Sequence, residues 1–351
     1  MIDWISARLP YLHNKPINNG NFVSFTADNR IEFKTDKYLP VKGSYNSSLS
    51  VRSFFDPKLP VNPDSPYNCL DFSGNPVKYL QGHNIWGSGD LQSILFEAIK
   101  GIFKTLELDN FSVFTVLNAR LTRVDVTAMY LLESPERVNN WLFSAEKSAS
   151  LKHRGRGLFK HGTLYFGSKS TYWTLKFYHK GDEIMANKKH QRSDIYSNED
   201  VLNFASRSLR SEVMIRSREL QKTGLDIVSK WSKEVTQKVY NRYISRLELS
   251  ENTMIITDEK LMEIPNHFRR TYFTWRAGMD VREGISRQTF YKHRRYLMDS
   301  LGIDISIKQD SLLPDTSNVI PLIQVIEAKP ASVPDFALGT DLYFEPKKVS
   351  V

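Results

Sequence analysis

Cysteine is almost absent: the 351 residues contain one, Cys69. No intramolecular disulfide can form and no zinc site can be built on cysteine, so a reducing compartment is expected. Long apolar runs are also missing. No stretch of 18 apolar residues occurs, so no membrane span is expected. The opening Met1-Ile2-Asp3-Trp4 has no basic stretch leading into an apolar one, and no secretory signal is expected. No internal repeat and no low-complexity tract is present. Acidic excess is absent too: 48 Lys and Arg face 39 Asp and Glu, a formal net charge of +9. That excludes an acidic solvating tail and makes nucleic acid the first partner to test, because phosphate backbones reward surplus cations without demanding sequence. What the chain does have is 40% hydrophobic and 12% aromatic residues, enough for a substantial core and against global disorder. Its length suggests two domains, or one large domain with an appendage.

The first 217 or so residues mix strand and helix signals. Ile2 to Leu9 and Ser44 to Phe55 read as strands, and the prolines between Pro57 and Pro66 mark a loop. Val77 to His83 alternates, with Val77, Tyr79, Gln81 and His83 on one side, and reads as a strand. Asp90 to Lys104 is the clearest helix: Leu91, Ile94, Leu95, Ala98, Ile99, Ile102 and Phe103 form one apolar stripe, and Ser88 or Asp90 can cap it. One or two strands follow between Phe111 and Leu132. Ser134-Pro135-Glu136 starts another helix. Thr163 to Gly167 and Thr171 to Tyr178 read as a hairpin, 198 to 207 as a helix, and Ser208 to Arg216 as a strand. This predicts an α+β fold: a central antiparallel sheet with helices packed on one face. Helical periodicity dominates from about 224, and a Pro-rich end follows. The expected division is 1–223, a helical unit at 224–326, and a loosely held tail at 327–351.

Period two gives three of these strands one apolar and one charged face. Arg123, Asp125 and Thr127 share a face; so do Arg210, Glu212 and Arg216; so do Lys176, Tyr178 and Lys180. If the strands are neighbours, two carboxylates, a tyrosine and several cations meet on one surface. Asp125 and Glu212 suit Mg²⁺ or Mn²⁺, and His83 could add an imidazole. A tyrosine beside lysines and a metal-polarised phosphate can serve as a nucleophile, given a positive surround that lowers its phenol pKa. Each feature has a structural alternative. Asp125 beside Arg123, and Glu212 between Arg210 and Arg216, also fit sheet-surface ion pairs. His83 fits a satisfied core histidine. The basic loop with Lys152, Arg154 and Arg156 fits a solvated turn, although its glycines would let backbone approach phosphate.

Thr271 to Gly278 reads as a helix, followed by a turn through Gly284 and a second helix from Ser286 to Leu297. Arg287, Lys292, Arg294 and Arg295 lie on the second helix, opposite Phe290, Leu297 and Leu301. This fits a helix-turn-helix-like DNA-binding unit. The alternative is an ordinary helical hairpin with a solvated basic face.

A set of short segments carries a family resemblance. In chain order they are Met1-Ile2-Asp3 with Arg8-Leu9-Pro10; Leu80-Gln81-Gly82-His83-Asn84 with Gly87; Arg123-Val124-Asp125; Tyr178-His179-Lys180; Asn203-Phe204-Ala205-Ser206 leading to Arg210 and Glu212; and Asn318-Val319-Ile320-Pro321-Leu322. Together they resemble the gene II replication initiators of filamentous bacteriophages, the rolling-circle nicking proteins. The Leu-Gln-Gly-His-Asn segment is the most specific. The segment between the tyrosine strand and Asn203 is shorter than in the coliphage members. The paired-histidine metal motif of many other rolling-circle initiators is absent.

The resemblance implies origin binding, nicking of the plus strand, a 5′-phosphotyrosine intermediate, a free 3′-OH primer and rejoining of the displaced strand. It places the nucleophile segment on Tyr178 and Lys180, and the family's His-Asn, Asp and Glu positions on His83, Asn84, Asp125 and Glu212. Asp3 also matches a family position. It further implies Mg²⁺ or Mn²⁺ on Asp125, Glu212 and His83, charge stabilisation by Lys180 and Lys176, and origin contacts from the basic helix. Arg123 and Arg210 could either hold the carboxylates or touch phosphate. Implied partners are double- and single-stranded origin DNA, host helicase and polymerase, and further copies of the chain on the origin, in the cytoplasm of the bacterial host. Tyr172, on the same expected strand face, is the candidate for a second tyrosine in strand closure. The rival readings are a non-enzymatic DNA-binding regulator, a hydrolytic metal nuclease, and an RNA-binding sheet.

Overall fold

A computed structural model describes residues 1–43, 45, 47–59, 62–63, 65–109, 111–151, 155–249, 261–301, 305–306 and 330–347. The strands are β1 (Ile2–His13), β2 (Asn21–Phe25), β3 (Ile31–Asp36), β4 (Leu39–Lys42), β5 (Ser48–Phe54), β6 (Tyr67–Gly74) and β7 (Arg120–Leu131). They continue as β8 (Ala149–Leu151), β9 (Gly155–Arg156), β10 (Leu158–Lys160), β11 (Thr163–Phe166), β12 (Trp173–His179), β13 (Ser208–Arg216) and β14 (Leu247–Leu249). Nine of them form one antiparallel sheet in the order β10-β11-β12-β13-β7-β1-β6-β5-β4. The three strands whose charged faces stood out in the sequence, β12, β13 and β7, are direct neighbours.

The helices are α1 (Pro76–Gln81), α2 (Leu91–Thr105), α3 (Val113–Leu117), α4 (Pro135–Ser148), α5 (Lys180–Ala186), α6 (Glu199–Ser206), α7 (Ser217–Thr223), α8 (Lys233–Ile244), α9 (Asn266–Arg276) and α10 (Arg287–Leu301). The main core lies on one face of the sheet. Ile5, Ala7 and Leu9 of β1, Val124 and Val126 of β7, Leu175 and Phe177 of β12, and Val213 and Ile215 of β13 pack there against Ile94, Leu95, Ile99 and Ile102 of α2, Trp141 of α4 and Val239 of α8. Buried apolar area of this extent is the main favourable term holding the sheet. The other face carries the charged residues. Its far end is closed by a smaller cluster in which Met129 meets Trp86, Ile184, Phe204 and Ala337.

Two expectations of local structure fail for physical reasons. Val77 to His83 is not a strand but helix α1 and the loop after it. Asn75 accepts a hydrogen bond from the Lys78 amide, Pro76 opens the first turn, and Gly82 ends the helix at φ 84°. That is a full set of helix-boundary signals, which outweighs a short alternation. Gly82 is required twice over, because a Cβ there would come within 2.7 Å of the Tyr45 ring. The Pro-rich end is not loosely held where it is described. Residues 330–347 lie on the sheet domain, with Ala337 fully buried and the Ala331 amide bonded to the Met129 carbonyl at 2.7 Å.

The main core also runs beyond 223, because Val228, Trp231, Tyr240 and Tyr243 are buried in it. Helices α9 and α10 form their own cluster around Phe268, Tyr272, Phe290 and Leu297. Ten residues, 277 to 286, join them through the 3₁₀ turn Val281–Glu283, a longer connection than a compact helix-turn-helix needs. Asn318 to Leu322 lies outside the described residues.

Candidate active site

The charged sheet face gathers around β12, β13, β7 and the start of β1. Across the ladder Lys176 stands opposite Glu212, and Glu212 opposite Thr127. Asp3 reaches the same face through an irregularity: Ile2 pairs with Val126 and Trp4 with Asp125, so Asp3 is the extra residue of a bulge. The bulge keeps Ile2 in the core and turns Asp3 outward, a re-aiming that bulges commonly perform.

Lys176 Nζ is 2.7 Å from Glu212 Oε1. The Tyr178 hydroxyl donates to Glu212 Oε2 at 3.4 Å. Arg123 grips Asp125 with both arms, Nε to Oδ1 at 2.8 Å and Nη2 to Oδ2 at 2.5 Å. A second network lies beside the first. Arg210 Nη2 donates to Asp3 Oδ1 at 2.8 Å, and Asn75 and Asn84 donate to the same oxygen at 2.7 and 2.9 Å. The Arg210 guanidinium also donates to the Asn84 carbonyl and to Thr127 Oγ1. Lys180 Nζ donates to Asn84 Oδ1 at 2.9 Å and to Glu183 Oε2 at 2.5 Å. Asp3, Asn75, Asn84, Lys176, Tyr178, Glu183 and Glu212 line one cleft of about 550 Å³.

Burial sets the proton affinities here. It pushes the Asp125 carboxyl well above the usual range, and the adjacent Glu212 carboxylate adds to this, outweighing Arg123. Asp3 goes the other way: burial opposes its charge, but Arg210, Lys180 and the Asn84 amide hold it at about 2. Burial lowers Lys180 to about 8, against the pull of Glu183. Lys176 is raised, because Glu212 more than offsets its burial. Tyr178 is 8% exposed, and burial holds its phenol well above 10, with Arg210 opposing and the carboxylates reinforcing. The expected positive surround therefore does not lower this phenol; its nearest polar partner is a carboxylate.

The structure brings together Asp3, Asn84, Asp125, Lys176, Tyr178, Lys180 and Glu212 with Arg123 and Arg210. It does not bring His83 with them. His83 is fully buried; Nε2 bonds the Leu342 carbonyl at 2.9 Å and Nδ1 accepts from the Ile85 amide at 3.3 Å. Both ring nitrogens are engaged, and burial holds the imidazole neutral, at about 3. Among the described residues no three His, Cys, Asp or Glu side chains are grouped to hold a metal. Asp125 and Glu212 are adjacent carboxylates, but Arg123 takes both oxygens of the first and Lys176 and Tyr178 take those of the second, so Mg²⁺ or Mn²⁺ fits here only by displacing these partners; His83, buried with both nitrogens engaged, is not placed to join them.

Arg210 is fully buried and holds Asp3, whereas Arg123 holds Asp125 with its side chain 32% exposed. Arg156 sits on β9, in the small β14-β8-β9 sheet, and Lys152 and Arg154 lie outside the described residues. Arg287, Lys292 and Arg295 are exposed on α10, and Arg294 is half-buried. Tyr172 is 40% exposed, six residues along the chain from Tyr178, or roughly 20 Å at strand spacing. Sequence reading missed Asn75 and Glu183. Asn75 was visible as a cap before Pro76; Glu183 was visible only as a helix neighbour three residues from Lys180.

Two family models match the chain, those for the N-terminal and C-terminal parts of the gene II replication-associated protein, over residues 1–234 and 256–347 respectively. The replication-associated protein of this kind from Enterobacteria phage I2-2 is 36% identical over 355 residues, covering 100% of this chain and 99% of the relative. That of Salmonella phage IKe is 23% identical, covering 93% of each chain, and that of Enterobacteria phage M13 is 22% identical over 65% of this chain and 63% of the relative. The chain belongs to the gene II replication-associated protein family. The resemblance to the filamentous-phage initiators, drawn from short collinear segments, is borne out. Among solved structures, a rolling circle replication initiator protein from Geobacillus stearothermophilus aligns with a TM-score of 0.33 and 13% identity over 88% of this chain and 98% of that one. No helix among the described residues is long and apolar enough to cross a membrane.

Proposed function

We propose that this protein initiates rolling-circle replication of a filamentous phage by nicking one strand at the viral origin with Tyr178, and rejoins the displaced strand afterwards. The observation that carries this is the contact between the Tyr178 hydroxyl and Glu212, with Lys176 on the opposite oxygen, inside a cleft.

In the nicking step Glu212 takes the phenol proton and the Tyr178 oxygen attacks the scissile phosphorus. The Tyr–O–P bond forms as the P–O3′ bond breaks. The 5′ phosphate stays on tyrosine, and the 3′ oxygen takes a proton from water and leaves as the hydroxyl that primes synthesis. One phosphoester replaces another, so a later 3′-OH can reverse the step without ATP. The Lys176 ammonium meets the charge that develops on the phosphoryl oxygens. Asp3, Asn84, Lys180 and Arg210 fix the walls of the cleft. Asp125 and Glu212 would hold Mg²⁺ or Mn²⁺ once Arg123 and Lys176 each release an oxygen, and the ion would supply polarisation of the scissile phosphate. Helix α10 would add origin affinity through Arg287, Lys292 and Arg295. Origin DNA in double- and single-stranded form, further copies of the chain, and host helicase and polymerase in the bacterial cytoplasm complete the reading.

The burial of the Tyr178 hydroxyl favours one second reading, a hydrolytic nuclease in which water attacks. One assay separates the two: supercoiled DNA carrying the phage origin, incubated with Mg²⁺ or Mn²⁺, then denatured and peptide-mapped. A 5′-linked adduct on Tyr178, lost in Tyr178→Phe, is expected. Nicks without an adduct would replace the proposal with hydrolysis, and binding without cleavage would leave a regulator.

A further inference from the structure

The histidine of the Leu-Gln-Gly-His-Asn segment faces away from the carboxylates and holds the C-terminal segment. The Leu342 carbonyl accepts from His83 Nε2 and from Trp86 Nε1, both at 2.9 Å. The Phe344 amide donates to Gln81 Oε1 at 3.0 Å. Gln81 Nε2 in turn donates to the His83 and Trp86 carbonyls at 3.2 and 2.9 Å, closing the loop on itself. Arg192 Nη1 donates to the Asp341 carbonyl at 2.9 Å, and Nη2 pairs with the Asp341 carboxylate at 2.7 Å. The Phe336 ring meets Trp86 edge-on, with centroids 5.6 Å apart. This is a fitted seat, with backbone groups 256 or more positions away satisfying three buried side chains at the end of α1 and on the loop after it.

The next residue on that loop is Asn84, which touches both Asp3 and Lys180 and whose carbonyl accepts from Arg210. The strap therefore closes the side of the loop opposite the cleft. We propose that residues 330–347 form a positioning strap: its docking on Gln81, His83 and Trp86 sets where Asn84 stands, and through it Asp3 at the cleft and the buried Lys180. His83 is then a positioning residue, and the C-terminal segment is part of the nicking apparatus. The inference rests on the nickase reading for its consequence, but the docking itself can be read without cleavage.

The test uses the full chain with four substitutions. His83→Ala removes the donor to Leu342, and His83→Gln offers an amide N–H in its place. Trp86→Phe removes the second donor, and Phe344→Pro removes the strap's own N–H. A misplacement of about 1 Å can cost on the order of 100-fold in rate. Single-turnover nicking should therefore fall roughly 10–100-fold in His83→Ala and Phe344→Pro. Origin affinity and substrate KM should stay near wild type, Trp86→Phe should fall less, and His83→Gln should recover most of the rate. Amide exchange at residues 81–87 should quicken in Phe344→Pro with no general loosening.

Wild-type nicking in both His83→Ala and Phe344→Pro would overturn the strap. So would losses that follow melting temperature alone with no rescue by Gln, or unchanged exchange at 81–87. A wild-type chain that never nicks sinks the nickase reading instead, and the exchange measurement still decides the docking.

Discussion

The Tyr178 hydroxyl and Glu212 face each other across adjacent strands, 3.4 Å apart, while the other oxygen of Glu212 is held by Lys176 at 2.7 Å. In the proposed nicking step this carboxylate takes the phenol proton. A positioned base of this kind contributes roughly 10²–10⁴-fold. Glu212→Gln should lower single-turnover nicking by about that factor while leaving any adduct on Tyr178. Tyr178→Phe should abolish the adduct completely. A wild-type adduct that maps to another tyrosine, such as Tyr172, would show that Tyr178 is not the nucleophile.

Asp3 and Arg210 form a buried ion pair at 2.8 Å, with the Arg210 side chain fully enclosed. Removing one partner leaves the other charge buried alone, which costs about 3–5 kcal/mol. Asp3→Asn should lose stability of that order in urea unfolding. The pH dependence has a definite sign. Asp3 titrates at about 2 in the fold against 3.8 ordinarily, so its contribution is present above 3.8 and is lost as pH falls through about 2. In wild type this acid limb is worth about 2 kcal/mol, and in Asp3→Asn it should be missing. An unchanged limb would assign the acid sensitivity elsewhere.

Lys180 carries its proton below about 8 and loses it above. Deprotonation removes the charge that pairs Lys180 with the Glu183 carboxylate, so the cleft should loosen as pH rises through that value. Single-turnover nicking should fall on an alkaline limb with a midpoint near 8. Lys180→Arg, whose guanidinium does not deprotonate, should keep lower activity but lose that limb. If the limb persists in the Arg variant, another group titrates there.

Asp125 and Glu212 are the carboxylates of the proposed divalent-ion site. Asp125→Asn should raise the Mg²⁺ or Mn²⁺ concentration for half-maximal nicking at least tenfold, since carboxylate charge is what such hard ions select. His83→Gln should leave that concentration unchanged, because both imidazole nitrogens are engaged in the fold. Metal titrations of the two variants check this directly, and a shift in His83→Gln would restore the histidine as a ligand.

Much of this site could be read from residues alone, because period two is a strong signal where strands are long. It grouped Lys176 with Tyr178 and Arg123 with Asp125, and β12, β13 and β7 are indeed neighbours. The failures have definite causes. Short alternation hid the helix at Pro76–Gln81, though Asn75, Pro76 and Gly82 announced both ends. A single-residue bulge is invisible to periodicity, so Asp3 could not be placed on the charged face. The partner of His83 lies 259 positions away in a Pro-rich stretch, and no local pattern could couple Leu342 to it. Of the two readings open for His83, ligand or satisfied core histidine, its hydrogen bonds match the second.

Helix α10 presents Arg287, Lys292 and Arg295 to solvent, while Phe290, His293 and Leu297 hold its other side in the α9–α10 cluster. Exposed cations cost little to keep in water, so they gain only when they displace counterions from phosphate. If all three do so on the origin, replacing them with Ala should flatten the slope of log affinity against log salt by about 2.7. Affinity for the origin duplex should drop most at low salt. Cleavage of a short single-stranded oligonucleotide that spans the nick should be unchanged, because those contacts lie outside the Tyr178 cleft. An unchanged salt slope would make α10 an ordinary solvated helix and move origin recognition to another surface. A slope that flattens together with loss of oligonucleotide cleavage would instead put α10 at the nick itself.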